Sequence, residues 1–313
     1  MTYRILIIGE TPRFNAEYYY MQAFKRANWY VNSIVLDGAF WKRLAVTRTK
    51  TLRSVLLRHN SGMFSSDLRP DIILVIKGTF LPTHSLFELK KLKVPVILYY
   101  TDSFRFPVLL KDRLPLFDYV FTAAENTTLF ESLGAKKIKT LPFACDPSIH
   151  KQPDNPVKSL DVSFIGTFYW RRYNILRKVN PEPNVFGNFW LMPPIRASGS
   201  GYSGHSYANK ISETRVNLNI HNKADLLSGS INMRVFEVAG TGSFLLTDGN
   251  ATKYFDKTSI GTFNDADDLS TKIRFYLEHE QIREDMAAKS REICYKYHTY
   301  DIRVESILKF IMY

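Results

Sequence analysis

Short apolar runs of strand length, each followed by a segment of helical period, recur along this 313-residue chain and leave it few folds to adopt. In the first half the strand candidates are Arg4–Ile8, Asn32–Leu36, Asp71–Ile76, Val94–Tyr100, Asp118–Thr122 and Lys137–Leu141. Helical patterns lie between them over Asn15–Ala27, Lys42–His59, Thr83–Lys91 and Glu125–Leu133, with Gly134 as a C-terminal stop. Continuous apolar strands alternating with helices specify a parallel sheet covered on both faces. From Asp146-Pro147 to Pro156 the periodicity lapses and three prolines mark a linker. The alternation then restarts. Strand candidates are Val162–Ile165, Val185-Phe186, Val216–Ile220, Ser243–Thr247 and Ile260–Phe263. Helices fit a basic segment from Tyr169, then Ser206–Thr214, Ile231–Ala239, Asp267–Glu278, Glu280–Tyr297 and Asp301–Ile311. The chain therefore reads as α/β, with two doubly wound, Rossmann-like domains over 1–150 and 157–297. A segment over 298–313 is expected to return as a helix to the first domain. Open parallel sheets bind ligands at the carboxyl ends of their strands, so two such edges are expected to face a cleft.

Length and composition are consistent with two cores of ordinary size. No run approaches the roughly 18 apolar residues of a membrane-spanning helix. Cys145 and Cys294 stand alone, without the spacing of a disulfide framework or a zinc site, so a reducing, cytoplasmic setting is expected. Nor does any cluster of carboxylates, histidines or cysteines have metal-site spacing. The net charge of +12 is carried by scattered pairs such as Arg171-Arg172, not by a tail. It fits a generally solvated basic surface, a membrane-surface or polyanionic acceptor, or a diphosphate-bearing donor. The full G-x-G-x-x-G fingerprint is absent, which argues against a nicotinamide enzyme.

The most informative stretch runs from Ser228 to Gly242, Ser-Gly-Ser-Ile-Asn-Met-Arg-Val-Phe-Glu-Val-Ala-Gly-Thr-Gly. Ser230 is a candidate N-cap, and Gly240 and Gly242 are expected to end the helix. Ile231, Val235 and Val238 share one stripe, while Ser230, Arg234 and Glu237 share another, with Asn232 near the helix start. Free N–H groups, the helix dipole and a guanidinium together favour a diphosphate at such an N-terminus. One turn on, Glu237 can accept hydrogen bonds from two adjacent ribose hydroxyls. The alternative is a surface ion pair between Arg234 and Glu237, although a carboxylate C-terminal to its cation is the weaker order on a helix.

The pattern Asn232-x-Arg234-x-Phe236-Glu237-x-Ala239-x-x-Gly242, followed by an apolar strand and Asp248, resembles the donor-site helix of the CgeB-like (spore-maturation-type) glycosyltransferases. These are GT-B enzymes related to glycosyltransferase group 1. Val162–Thr167 with Arg171-Arg172, Val185-Phe186-Gly187, Leu218–His221, Leu269–Glu278, Tyr297–Tyr300 with Arg303 and, upstream, Asp118–Thr122 and Leu141–Pro147 resemble further family segments in the family's order. The resemblance covers most of residues 94–310. It implies a GT-B fold, a nucleoside-diphosphate sugar of UDP type as donor, no cofactor and no bound metal. Many relatives carry a second Glu eight positions before the ribose-binding one, where this chain has Gly229.

Donor-site candidates are thus Gly166, Thr167, Arg171, Arg172, Gly187, His221, Asn232, Arg234, Phe236 and Glu237. For each arginine of the 171–172 pair, phosphate contact competes with a solvated helix face. His221 is either a phosphate or sugar ligand or a satisfied loop residue. Gly187 either admits a nucleobase to the backbone or makes a turn. In the first domain Asp102, after the strand ending in Tyr99-Tyr100, is either the acceptor-side catalytic base or a turn cap. Gly9-Glu10-Thr11 forms another edge loop. The acceptor is open between a glycan, a protein and another polyanionic molecule, with peripheral membrane contact allowed. Sugar transfer stands against two rivals, a GT-B-fold sugar-nucleotide epimerase and a non-catalytic polyanion-binding module.

Overall fold

A computed structural model describes residues 2–9, 14–35, 69–79, 81–102, 110–154 and 156–312. The helix expected over Lys42–His59 lies outside the described residues, as do Glu10, Thr11 and Leu36. The chain divides into two compact units, one comprising Met1–Pro142 with Arg303–Tyr313, the other Phe143–Ile302.

In the first unit the strands are β1 (Arg4–Gly9), β2 (Tyr30–Val35), β3 (Ile72–Ile76), β4 (Val96–Tyr100), β5 (Tyr119–Thr122) and β6 (Ile138–Thr140). They form one parallel sheet in the order β2-β1-β3-β4-β5-β6. Every residue of β3 and β4 is buried, as expected for a sheet covered on both faces. Leu6, Ile8, Ile73, Val75, Val96, Leu98 and Tyr100 pack on α2 (Thr83–Lys90) and α3 (Thr128–Ser132) through Leu86, Leu89 and Phe130. The helix anticipated over Glu125–Leu133 shrinks to these five residues. Alternate residues face the other way. There Tyr99 meets Tyr20 of α1 (Ala16–Arg26), with ring centroids 5.3 Å apart. Phe121 meets Phe310 of the terminal helix (Tyr300–Met312), 5.4 Å away.

In the second unit β7 (Leu160–Ile165), β8 (Asn184–Phe186), β9 (Thr214–Asn219), β10 (Leu245–Thr247) and β11 (Gly261–Thr262) form a second parallel sheet, ordered β11-β10-β9-β7-β8. The order reverses between β7 and β9, which makes the carboxyl ends of those two strands the switch point where ligands bind in such sheets. One face is covered by α4 (Trp170–Leu176), α8 (Ala266–Glu278) and α9 (Glu280–Tyr297), through Tyr173, Leu176, Leu269, Ile273 and Met286. The other is covered by α5 (Gly204–Ser212) and α7 (Met233–Thr241), through Tyr207, Ile211, Val235, Phe236 and Val238. A short helix that periodicity did not reveal, α6 (Lys223–Ser228), is capped at Asn222, whose side chain accepts from the Asp225 N–H.

The unit boundary falls at Pro142, earlier than the proline-bearing stretch suggested. Asp146 and His150 are buried within the second unit. Cys145 bridges to Thr299 in parallel fashion, and Asp146 accepts hydrogen bonds from the backbone and hydroxyl of Ser148. Local side-chain bonds of this kind give proline-interrupted chain a fixed shape without periodicity.

Candidate functional site

The switch point is built from the turns that follow β7 and β9. After β7, Gly166 donates its N–H to Phe186 and accepts from the Trp190 indole at 2.8 Å. A side chain at Gly187 would place its first carbon 2.2 Å from the Gly166 carbonyl oxygen, and its φ is +139°. Gly187 is therefore needed for the close approach of two backbones. Thr167 is exposed and its carbonyl accepts from Arg172.

The two arginines of α4 reach across to the end of β9. Arg172 donates from Nε to the Ile220 carbonyl at 2.8 Å and lies over the rings of Phe164 and Tyr169. Burial pulls its guanidinium down to about 10, still fully charged at neutral pH. Arg171 bonds the His221 carbonyl at 2.8 Å and the Asp248 carboxylate at 2.5 Å. Neither is a simply solvated helix face. Both brace the loop that leads from β9 towards α7.

His221 is fully buried and occupied at both nitrogens. Its Nε2 lies 3.2 Å from the backbone nitrogen of Asn232, which can only donate, so Nε2 accepts and Nδ1 carries the proton. That proton points at Asp248 Oδ1, 2.7 Å away, which also accepts the His221 backbone N–H. Burial raises the Asp248 carboxyl, but His221 and Arg171 outweigh it and hold the group below its ordinary range. The result is a string from Arg171 through Asp248 and His221 to Asn232. Its role in this geometry is to fix the start of α7.

The N-cap of α7 is Asn232, not Ser230. His221 holds the Asn232 N–H, and Asn232 donates its amide to Asn219 at 3.0 Å, which keeps this residue extended. The helix therefore begins two residues later than the apolar stripe implied. It also runs through Gly240 to end at Gly242, which adopts the left-handed conformation of a C-cap. Gly229 has φ +67° as the C-cap of α6.

Arg234 and Glu237 do pair, at 2.9 Å, but not on the surface. Glu237 is 1 % exposed, whereas the Arg234 side chain keeps 30 % of its area in solvent and stacks on Tyr207, 4.1 Å from the ring centre. The other carboxylate oxygen of Glu237 lies 3.3 Å from Nε2 of His150. His150 is itself fully buried, and its Nδ1 accepts from the Asp146 backbone at 2.9 Å, so Nε2 carries the proton towards Glu237. Burial pushes the Glu237 carboxyl up, but Arg234 and His150 together hold it below its ordinary value. Gly240 makes this second string possible. A side chain there would meet Cys145 at 2.8 Å and crowd His150. Nothing periodic marks His150 in the sequence, so its place at Glu237 emerges only from the folded chain.

Phe236, placed among the donor-site candidates because of its motif position, is fully buried. Its ring packs on Phe255 and His298, at 5.8 and 5.3 Å. It anchors α7 in the core, because position 236 points at the sheet-covered side while Arg234 emerges at the helix start. In the first unit, Asp102 follows β4 at the carboxyl edge, about one-third exposed, with Lys77 Nζ 3.4 Å away. Among the described residues no group of three or more His, Cys, Asp or Glu could hold a metal ion, and no helix is long and apolar enough to cross a membrane.

Residues 171–309, which include α7 and the string from Arg171 to Asn232 but not His150, match the glycosyl transferase-like family. Spore protein CgeB of Bacillus subtilis is 22 % identical over 257 residues, covering 74 % of this chain and 80 % of that protein. The chain resembles the CgeB-like glycosyltransferases and has a GT-B fold. Its fold is shared with HepE of Anabaena, solved in complex with UDP-glucose, at a TM-score of 0.68 with 12 % identity and 99 % coverage of both chains. A Listeria monocytogenes protein provisionally assigned as a UDP-N-acetylglucosamine 2-epimerase aligns at a TM-score of 0.55, 10 % identity and 99 % and 96 % coverage. In this chain the matched region begins at Arg171, so the brace on the β9 loop lies inside it.

Proposed function

We propose that this chain transfers a sugar from a nucleoside-diphosphate sugar of UDP type to an acceptor hydroxyl, without a metal, and that the second unit holds the donor. The observation that carries the reading is the start of α7. A partly exposed Arg234 stands at a helix N-terminus which His221 and Asn219 hold at the carboxyl end of β9, beside the switch point. The first N–H groups of a helix have no intrahelical partner, and with the dipole and a guanidinium they suit a diphosphate. As the sugar leaves, negative charge grows on the diphosphate, and groups already aimed there stabilise it without reorganising. HepE binding UDP-glucose on the same fold supports a UDP-type donor.

In this reading Glu237 receives the ribose once Arg234, its solvent-side cover, turns to the phosphates. The acceptor oxygen attacks the anomeric carbon, the bond to the diphosphate oxygen breaks, and the hydroxyl proton passes to Asp102. Titration with a panel of nucleoside diphosphates tests the donor site. UDP is expected to bind, and Arg234→Ala is expected to weaken it by roughly 10–100-fold, the worth of a charged hydrogen bond. Failure of every diphosphate to bind, or parental affinity in the variant, overturns the assignment. The likeness to the Listeria protein favours epimerisation as the second reading. Conversion of a UDP-sugar to its epimer with no acceptor present would select it. A polyanion-binding module would instead show steep salt dependence and no requirement for Glu237.

A further inference from the structure

The loop after β8 and the first turn of α4 carry an apolar surface that the donor site does not use. Phe189 and Leu191 are 72 % and 84 % exposed, and Trp170 and Met192 are exposed beside them. These residues share one base. Phe168 donates its N–H to Asn188, the Phe168 ring contacts both Trp190 and Trp170, and the Tyr173 hydroxyl donates to the Pro193 carbonyl at 2.6 Å. The buried Trp190 and Tyr173 thus fasten the loop to α4, while the neighbouring large side chains point outward. Phe189 has a φ of +68°, a left-handed conformation that a bulky aromatic residue rarely adopts. Strain of this kind persists only where the surroundings enforce it. Here it accompanies an aromatic ring held in solvent, and exposed apolar clusters of this kind mark interaction surfaces.

Charge identifies the partner. Across residues 166–200 the bases are Arg171, Arg172, Arg177, Lys178 and Arg196, against the single acid Glu182. Arg177, Lys178 and Arg196 are exposed. Trp, Phe, Leu and Met projecting from a rigid base, in a stretch rich in exposed Arg and Lys, form the kind of surface that settles at the boundary between acyl chains and anionic headgroups. We propose that Trp170, Phe189, Leu191 and Met192 form a docking surface for an anionic lipid membrane. A polyanion such as nucleic acid or an acidic glycan would use the bases but gain little from Leu191 and Met192. A membrane uses both. This inference does not depend on the assignment of the donor or of the reaction.

The test is co-sedimentation of the full chain with vesicles of phosphatidylcholine alone and of phosphatidylcholine mixed with phosphatidylglycerol. The variant is Phe189→Asn with Leu191→Ser, since asparagine tolerates the left-handed backbone and serine loses only exposed area. The parent is expected to bind the mixed vesicles, to bind the neutral ones far less, and to dissociate partly in high salt. The double variant is expected to lose partitioning on the order of a hundredfold, with unchanged melting temperature and UDP affinity. No binding by the parent, or equal binding by parent and variant, overturns the proposal. So does concentration-dependent dimerisation of the parent that the double variant abolishes, which would assign the surface to a second copy of the chain.

Discussion

Glu237→Ala is the substitution whose consequence the structure changes most. A carboxylate exposed in a cleft could be removed with little effect on folding, but Glu237 is 1 % exposed and bound on both oxygens. Breaking a fully buried ion pair costs about 3–5 kcal/mol. Here Arg234 is 30 % exposed and can turn to water, so its share falls towards the roughly 0–1 kcal/mol of an exposed pair. His150 has no such escape. It would lose the acceptor 3.3 Å from its Nε2, at about 1–3 kcal/mol for a buried donor. A total of about 1–4 kcal/mol follows, a fall in melting temperature on the order of 10 °C at its upper end for a domain of this size. Glu237→Gln keeps the shape and an acceptor for His150, so it should fold nearly as well while binding UDP less tightly. The pH dependence has a definite sign. The folded carboxyl titrates below its ordinary value near 4.5, so its stabilisation is complete above that pH and is lost as the pH falls through the folded value. The parent should therefore lose more stability in acid than Glu237→Gln does. Thermal unfolding across pH and calorimetric titration with UDP on both variants measure these effects. A parental melting temperature for Glu237→Ala would refute the buried-pair reasoning, and parental UDP affinity for Glu237→Gln would sink the ribose assignment.

Asp102→Asn should slow transfer strongly with donor affinity nearly intact if Asp102 is the base, whereas a turn cap would lower the melting temperature instead; a parental transfer rate removes it from the mechanism. Turnover should survive EDTA, and loss of activity restored by a divalent ion would contradict metal independence. Gly187→Ala should destabilise the second unit by on the order of 3 kcal/mol, because its new carbon meets the Gly166 carbonyl; an unchanged denaturation midpoint would show that the two turns are not rigidly apposed.

Much of the architecture was legible because parallel sheets demand continuous apolar strands, and runs such as Ile72–Ile76 and Val96–Tyr100 cannot satisfy another period. The helix over Glu280–Tyr297 was readable to the residue for a related reason: a long amphipathic segment leaves its boundaries in its own pattern. Likewise Arg234 and Glu237 could be paired from their spacing, since three residues is one helical turn. By themselves, then, the residues determined two doubly wound halves and a charged helix start in the second.

Burial and partners were another matter, because both depend on chain that is remote in sequence. Glu237 is buried by His150, far away in the chain and outside its periodic pattern, which Gly240 one turn further along the helix admits. The helix begins at Met233 because His221, itself oriented by Asp248, captures the Asn232 N–H across a loop. Phe236 looks like a motif residue but faces Phe255 and His298. A helical stripe specifies which side chains share a direction. Only tertiary packing decides whether that direction meets solvent, a ligand or a distant histidine.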